Sequence, residues 1–544
     1  MVKRPRFGLL APVGVGVIAT ALATWRLMPG VGLWDTAEFQ TIPPILGTAH
    51  PTGYPTYVIL GWLASVVLTP LGEPAFRMNL LSAILVGVAA GITVDLVRML
   101  TRSTVIGVAT GLGLAATPIV WAIGTHADPH ALHLVFFAAI LWLLVRWESA
   151  RLEHPSRADR WLVAAAAVTG LSAGNHSLTL LLAVPIGLYV LAVEPSILAR
   201  GRLVALCVAA FVVSAALVYL ELPLRGGAIG FLKAPFVYGR PDTLSGFVYV
   251  VTGEQFRGGL NDPFGDWPGK LASLASLAIR QLGPLAALVL SGLIVTAIRH
   301  RAFALLTASA LAITCFFNAA YVNAEIDRYY LGPALIAWVW VGIFTAAVVD
   351  RIREGRLVEA PELAPQPASG DLSDAAQAPV STDSAGGRAR GRFDPIGLAV
   401  AALAALLLLG PTIAAFPDRA AAVDRTADRS AQLWLDAVVD EVEPQAVIVS
   451  WWSYSTPLWY AQLIEGRRPD VFVADDRTRI DMDLGEVTDV IDGNLAIGRP
   501  VYAIRIDSQE LVALNMRYTL TPLESPLAWN VLRVTSRSAA GVRP

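Results

Sequence analysis

The chain has 544 residues, of which 55% are hydrophobic and 15% are charged, and its formal net charge is -2. Because soluble domains carry about 25% charged residues, this composition, with a mean hydropathy of +0.57, excludes an ordinary soluble enzyme and predicts a polytopic membrane protein. The near-neutral charge also excludes a strongly basic protein that binds nucleic acid.

Apolar runs recur along the chain, and each is long enough to cross roughly 30 Å of hydrocarbon as a helix. They predict about eleven transmembrane helices, at 8–28, 78–97, 104–124, 131–146, 160–172, 176–194, 203–221, 272–298, 303–321, 331–349 and 396–414. Arginine clusters in the short loops predict a cytoplasmic N-terminus, which requires residues 56–71 to form a non-spanning or re-entrant helix. We therefore expect an integral plasma (inner) membrane protein.

The loop after the first span reads LWDTAEFQTIPPILGTAHPTGYPTY, at 33–57. Asp35 and Glu38 are three apart and would share one face of a short helix, where ionised carboxylates act as a base or hold a cation. His50 and Tyr54 belong to a proline-bearing irregular backbone, which must be buried in protein or line a water-filled cavity. The alternative is that an acidic cap and a proline turn simply end one helix and begin the next.

Histidines occur in two further stretches. His176 stands in the helix break GLSAGNHS, where it either binds a ligand or makes a helix-packing hydrogen bond. His130 and His133, in ADPHALH, are three apart, but no third ligand lies nearby in the sequence, and we expect no metal site.

Two later stretches carry candidate cations and acids. Arg225 follows a span directly and precedes two glycines, so its guanidinium is placed either to bind a phosphate bidentately or to anchor the helix at the interface. In YVNAEIDRYYLGPAL, Asp327 and Arg328 precede another span. They are either functional or a structural ion pair.

These patterns divide the chain into a membrane domain at 1–350, a linker at 351–394, a last transmembrane helix at 395–416 and a C-terminal domain at 417–544. The linker is rich in Pro, Ala, Ser and Gly, which predicts cytoplasmic disorder. The C-terminal domain alternates helices and strands, which predicts a small extracytoplasmic α/β domain with a parallel sheet. Its aromatic stretch WWSYSTPLWY is either a platform for a sugar or peptide or part of the domain core.

The motifs WDTAEF, LGTAHPTGYPTY, GLSAGNHS, YLELPLRGG followed by RPDTLSGFVYVVTGEQFR, DRYYLGPAL and TPLWYAQLIEGRRPDVFV occur in this order. Together they resemble the DUF2723 family, whose eukaryotic members are assigned as protein O-mannosyltransferases. More distantly, the acids after the first span and the external C-terminal domain resemble GT-C glycosyltransferases, such as protein O-mannosyltransferases and the aminoarabinose transferases of lipid A. Those enzymes take sugars from polyprenyl-phosphate carriers on the extracytoplasmic side.

The resemblance implies a GT-C-like catalytic membrane domain that transfers a sugar, expected to be mannose with inversion, from polyprenyl phosphate to a hydroxyl of a protein or glycan. Asp35 would be the general base, and Arg225, with Arg328 as the second choice, would stabilise the leaving lipid phosphate. The expected site residues are Asp35 and Glu38 for catalysis, and His50, Tyr54, His176, Arg225, Asp327 and Arg328 for substrate binding. The chain departs from the family's HPPGYP at Thr52 and from its EVY-like stretch at ADPHALH, so donor choice is less defined than fold. No cofactor is assigned beyond the lipid-linked sugar donor, and dependence on a divalent metal stays open.

Two other classes of protein stay open at this point. A transporter or flippase of a lipid-linked substrate should place ionisable groups near the midplane and show two related halves. Only Asp95 and Glu221, both near span ends, are candidates for such groups. A non-catalytic envelope scaffold would explain the linker and the aromatic tail, but it would leave Asp35 and Glu38 without a role.

Overall fold

Helices dominate the protein, which a computed structural model describes at residues 9–323, 325–359 and 395–536. The helices of the membrane part are α1 (Leu10–Thr24), α2 (Trp34–Thr41), α3 (Pro55–Val67), α4 (Pro74–Thr101), α5 (Thr104–Ala115), α6 (Pro118–Ile123), α7 (His130–Glu153), α8 (Pro155–Ala173), α9 (Ala183–Val193), α10 (Gly201–Tyr219), α11 (Glu221–Pro223), α12 (Leu244–Thr252), α13 (Trp267–Leu282), α14 (Val289–Arg299), α15 (Arg301–Ala319), α16 (Leu331–Glu359), α17 (Pro395–Ala414) and α18 (Phe416–Ala422). Helix α16 thus extends into the range predicted as a linker, and the rest of that prediction, at 360–394, lies outside the described residues.

Seven helical segments in the described part of the chain are long and apolar enough to cross a membrane. They are Pro74–Thr101, His130–Glu153, Gly201–Ala228, Trp267–Arg299, Arg301–Ala319, Ile326–Glu354 and Ile396–Ala414. They correspond to seven of the predicted spans and confirm an integral membrane protein of mostly helical fold. The other predicted spans contain shorter or more polar helices, so the predicted count of eleven is not confirmed.

Glycines allow the first helix to pack tightly on the longest helix of the early bundle. A side-chain carbon added at Gly87 of α4 would lie 2.5 Å from the carbonyl oxygen of Gly16, and one added at Gly91 would lie 2.7 Å from that of Pro12. Small residues permit such close approach where the surrounding lipid gives little driving force for helix association. The crossing of α1 and α4 holds the loop that follows α1 at one end of the bundle.

The C-terminal domain is built on a five-stranded mixed sheet with strand order β2-β1-β3-β5-β4. Its elements are α19 (Ser430–Glu441), β1 (Val447–Val449), α20 (Trp452–Leu463), β2 (Phe472–Ala474), α21 (Asp476–Asp481), α22 (Val487–Ala496), β3 (Val501–Ile504), α23 (Ser508–Arg517), β4 (Tyr518–Pro522) and β5 (Val531–Ser536). Strands β1, β2 and β3 are parallel, as predicted, and each is joined to the next through helices. The prediction of a purely parallel sheet is wrong, because β5 runs antiparallel to β3 and β4 and closes the sheet with a hairpin.

The C-terminal domain docks on the same end of the bundle as the loop after α1. Trp34 and Trp451 meet edge to face with ring centroids 5.3 Å apart. The Tyr460 hydroxyl accepts a hydrogen bond from the Ala75 backbone N–H at 3.2 Å, and Phe236 packs against Trp459 at 4.4 Å between centroids. The two regions predicted to share one side of the membrane therefore do share one end of the molecule, whereas the identity of that side stays a prediction.

Candidate functional site

A cavity of about 500 Å³ lies between the membrane bundle and the C-terminal domain. Its lining includes Asp35, His50, Tyr54, His176, Tyr238, Arg257, Tyr321, Glu325, Arg328, Tyr329 and Trp452. Five of the residues predicted for the site are in this set, although they are spread over almost three hundred positions of the chain. The fold thus assembles a single polar chamber from the first loop, the helix break, two later loops and the C-terminal domain.

Asp35 and Glu38 take different places although both belong to α2. Asp35 lies in the first turn and lines the cavity. Glu38 is fully buried behind it, where both of its oxygens face His50. The two carboxylates are therefore not both exposed to the cavity, and only Asp35 is placed to contact a substrate there.

Arg328 lies at the centre of a cluster of three carboxylates. Its guanidinium contacts Asp35 at 2.5 Å and Glu325 at 2.9 Å, and it lies 3.7 Å from Asp128. Burial alone would raise the pKa of Asp35, but the charges of Arg328 and then His50 outweigh it and hold that pKa below its ordinary value. Asp35 is therefore an ionised carboxylate at neutral pH.

Asp128 forms the floor of the same cluster. It is buried, and one of its carboxylate oxygens lies 2.8 Å from Nδ1 of His130. Burial again opposes ionisation, but His130 and Arg328 lower the pKa of Asp128 well below its ordinary value. With Asp128 and Glu325 added to Asp35, one guanidinium faces more negative charge than it neutralises.

His50 is held by Glu38 in a fixed orientation. Its backbone N–H donates to Oε1 of Glu38 at 2.8 Å, and its ring Nδ1 forms a short contact with Oε2 of the same carboxyl. The opposite ring nitrogen, Nε2, lies 3.5 Å from the Tyr54 hydroxyl. Burial would lower the pKa of His50, but Glu38 and then Asp35 raise it above its ordinary value.

An aromatic wall with buried histidines closes the cavity on the bundle side. The rings of His176 and Tyr54 are 5.7 Å apart, and those of His176 and Tyr329 are 5.4 Å apart. His176 Nδ1 accepts a hydrogen bond from the Leu178 backbone N–H at 3.1 Å, which places its proton on Nε2. His176 therefore makes a local hydrogen bond that caps the following helical turn, and it also lines the cavity, so its binding of a ligand stays a prediction.

Two predicted site residues lie elsewhere. Arg225 donates from Nε to the carbonyl of Leu46 at 2.9 Å and from Nη2 to that of Ile45 at 3.3 Å. It thereby fixes the first loop and does not line the cavity. Asp327 is about half exposed and pairs loosely with Arg280 at 3.8 Å, so it is a surface residue beside the site rather than part of it.

Sequence reasoning missed four residues that the structure brings to the site: Asp128, Tyr238, Arg257 and Trp452. Three of them belong to motifs named above, because Asp128 is in ADPHALH, Arg257 ends TGEQFR and Trp452 is in WWSYSTPLWY, whereas Tyr238 lies outside those motifs. No spacing rule connects them, since they approach the cavity from separate loops and from the C-terminal domain. Among the described residues, no three His, Cys, Asp or Glu side chains are arranged to hold a metal ion.

Comparison with known sequences relates the first third of the chain to one family. Residues 35–197 match the family described as the N-terminal domain of the protein O-mannosyl-transferase TMEM260. Protein O-mannosyl-transferase TMEM260 of Mus musculus is 31% identical over 193 residues, which make up 34% of this chain and 25% of the mouse protein. The similarity therefore spans about a quarter of that relative's length, and the family match begins at Asp35.

Solved structures extend the likeness to almost the whole chain. ArnT from Cupriavidus metallidurans matches with a TM-score of 0.56 in the apo state and 0.54 when bound to undecaprenyl phosphate. The two chains share a fold. Each comparison covers 95% of this chain and 96% of ArnT at 14% sequence identity, so the likeness concerns architecture alone. The shared architecture agrees with the predicted membrane bundle followed by a C-terminal domain.

Proposed function

We propose that this chain is a GT-C glycosyltransferase that transfers a sugar from a polyprenyl-phosphate carrier to a hydroxyl group of a protein or glycan. The observation that carries the proposal is the placement of Asp35, an ionised carboxylate that lines a cavity built by both domains. The fold shared with ArnT supports a lipid-phosphate donor, and the similarity to TMEM260 supports mannose as the sugar.

Asp35 acts as the general base. Its carboxylate accepts the proton of the acceptor hydroxyl while that oxygen attacks C1 of the sugar, and the bond from C1 to the lipid phosphate breaks. A single displacement of this kind inverts the configuration at C1. Arg328 holds Asp35 ionised and fixes its direction, so the base does not have to be reorganised during the reaction.

Arg257 stabilises the leaving phosphate in place of the predicted Arg225. It lines the cavity and donates to Thr252 Oγ1 at 2.9 Å, and no carboxylate of the described residues forms an ion pair with it. Arg328, in contrast, is already surrounded by Asp35, Asp128 and Glu325. An arginine without a counter-ion offers a phosphate both charge and a fork of hydrogen bonds.

The C-terminal domain contributes to acceptor binding through Trp452. This side chain lines the cavity, and its indole N–H has no hydrogen-bond partner among the described residues. A tryptophan presents an apolar face to a sugar or peptide and a single donor at its edge.

The arginine-rich loops at the opposite end of the bundle support a cytoplasmic N-terminus in the plasma (inner) membrane and an extracytoplasmic site.

The test measures sugar transfer by the purified, detergent-solubilised protein. The substrates are radiolabelled polyprenyl-phosphate-mannose and a mixed peptide acceptor, and the variant is Asp35→Asn. We expect transfer to fall by about 100- to 10,000-fold with an unchanged elution profile and thermal unfolding.

Asp327→Asn is the matched control, because Asp327 has the same chemistry at the surface and does not line the cavity. It should transfer as the wild type does. Equal activity of Asp35→Asn and the wild type would rule out the assigned base.

A further inference from the structure

Asp35 and His50 both line the cavity, and each has a charged partner of its own behind it. Asp35 is backed by the cation Arg328, and His50 is backed by the carboxyl group of Glu38. Of these two residues, the proposed function assigns a role only to Asp35. When two titratable groups in one site are biased in opposite directions, the geometry assigns one as the base and the other as the acid.

Glu38 serves His50 exclusively among the groups that the structure describes. It has no exposed surface, and its two oxygens accept from the backbone N–H and the ring Nδ1–H of the same histidine. A buried carboxylate that receives Nδ1–H fixes both the ring plane and the protonation pattern of the imidazole. The remaining ring nitrogen, Nε2, is free of this contact and carries a proton when the imidazole is in its charged form.

The surroundings of His50 favour its charged form. Glu38 and Asp35 are the nearby acids, and Arg328 is the cation that acts against them. The other groups packed on the ring are neutral: Phe39, Tyr54, Phe256 and Trp452, with ring centroids between 5.2 and 5.9 Å away. These aromatic rings exclude water without competing for the proton on Nε2, and the Tyr54 hydroxyl at 3.5 Å is at most a weak partner.

We propose that His50, oriented by Glu38, is the general acid of the transfer and donates its Nε2 proton to the phosphate oxygen that leaves C1. This assignment rests on the proposed function, and it makes Glu38 a positioning residue rather than a catalytic one. The acid on the leaving group and the base on the acceptor thereby come from the same loop, at 33–57, and line the same cavity.

The step balances in atoms and charge. The acceptor oxygen forms a bond to C1 while its proton moves to Asp35, and the bond from C1 to the phosphate oxygen breaks while that oxygen takes the proton of His50. Asp35 then returns a proton to water and His50 regains one from water. No oxidant, reductant or further reactant is needed.

The first arm of the test is the pH profile of kcat for the wild type and for Glu38→Gln. The acid must be protonated, and the pKa of His50 is raised, so wild-type activity should fall only as pH rises through a value above the ordinary histidine pKa of about 6.5. Glu38→Gln keeps the shape of the side chain but removes its charge, which should move this limb about one to three pH units lower. The acidic limb belongs to Asp35 and should stay below about pH 4 in both proteins.

The second arm needs no transfer and therefore separates this proposal from the proposed function. Calorimetry measures binding of a sugar-free polyprenyl phosphate to the detergent-solubilised protein between pH 5.5 and 9.5. Wild-type affinity should fall about tenfold or more as His50 loses its proton, His50→Gln should lack this fall, and Glu38→Gln should show it at lower pH. The phosphate of the lipid also ionises in this pH range, but it does so equally with all three proteins and cannot cause a difference between them.

Thermal unfolding of each variant checks that it is folded before its profile is interpreted. Identical pH midpoints for the wild type and Glu38→Gln in both arms would overturn the assignment, since a purely structural histidine would not respond to the charge behind it. The wild type could bind the lipid phosphate with the expected pH dependence and still transfer no sugar. That result would support the contact of His50 with the phosphate and would contradict the proposed function.

Discussion

The two ends of the helical bundle each hold a cluster of aspartate and arginine side chains, and the two clusters differ in how completely their charges are matched. At the end away from the C-terminal domain, one oxygen of Asp95 accepts from Arg98, with Nε at 3.0 Å. The other oxygen accepts from Trp142 at 2.8 Å and from Arg146 at 2.7 Å. Every acceptor position of this carboxylate that faces protein is used.

In the cluster at the cavity, the acidic groups outnumber the cations. Arg328 is shared by Asp35, Asp128 and Glu325, and Asp35 still faces an open chamber. The two clusters are well separated, because Asp95 lies about 30 Å along α4 from Ala75, where Tyr460 of the C-terminal domain makes its hydrogen bond.

The difference teaches how to separate structural from functional ion clusters in this protein. A matched cluster such as that of Asp95 joins α4 to α7 and leaves no group for chemistry. An unmatched cluster beside a cavity retains a charge that a substrate can use. Both clusters look alike in the sequence, since each is an acid near the end of an apolar run.

The largest expected effect comes from removing the shared cation of the cavity cluster. Arg328→Gln should lower transfer by about 100- to 10,000-fold, because the pKa of Asp35 then rises and the base is no longer held in direction. Transfer of labelled sugar by detergent-solubilised protein measures the loss. Arg328→Lys, which restores a charge without the planar fork, should recover part of it, and full activity of Arg328→Gln would show that the cluster does not govern the base.

A smaller loss is expected at the cation without a counter-ion. Arg257→Gln should lower kcat by about 100- to 1,000-fold, the usual effect of removing one donor that stabilises developing charge. Arg225→Gln is the matched variant, because the Arg225 guanidinium donates to the carbonyls of Leu46 and Ile45 and does not line the cavity. This variant should lower thermal stability more than kcat per folded molecule. If Arg225→Gln lowered kcat and Arg257→Gln lowered only thermal stability, the phosphate-binding role would belong to Arg225, as the sequence predicted.

The smallest effect on activity is expected at the matched cluster. Asp95→Asn should leave kcat within about threefold, while it destabilises the bundle by about 2–4 kcal/mol, because Arg98 and Arg146 lose their buried acceptor. Thermal unfolding in detergent and transfer per folded molecule measure the two quantities separately. A large loss of kcat in a fully folded Asp95→Asn protein would contradict the distinction between the two ends.

Much of the fold was predictable because the bilayer imposes a simple rule on composition. Long apolar runs must be helices, since no other local structure satisfies the backbone in hydrocarbon, and seven of the predicted spans have the required length and apolarity. The hairpin of β4 and β5 was missed because Tyr518–Pro522 and Val531–Ser536 are partly exposed and of mixed polarity. The position of the hairpin in the sheet depends on the pairing of β5 with β3, which lies further away in the sequence.

The candidate site was predictable to the extent that it is local. Asp35, Glu38, His50 and Tyr54 lie within one loop, and the contact of Glu38 with His50 spans only twelve positions. Arg225 was misplaced because an arginine after a span has several carbonyls and carboxylates within reach, and only the packed loop decides among them. Asp128 and Trp452 had no local signal that linked them to Asp35.

The sequence by itself determined that this is a helical membrane protein with a small α/β domain and a polar first loop, because composition and periodicity act residue by residue. Only the tertiary structure decided which charges meet: it brought Arg328 to Asp35 across 293 positions and Trp452 into the same cavity. The physical reason is that burial and distance set the strength of an ionic contact, and neither is defined until the helices pack.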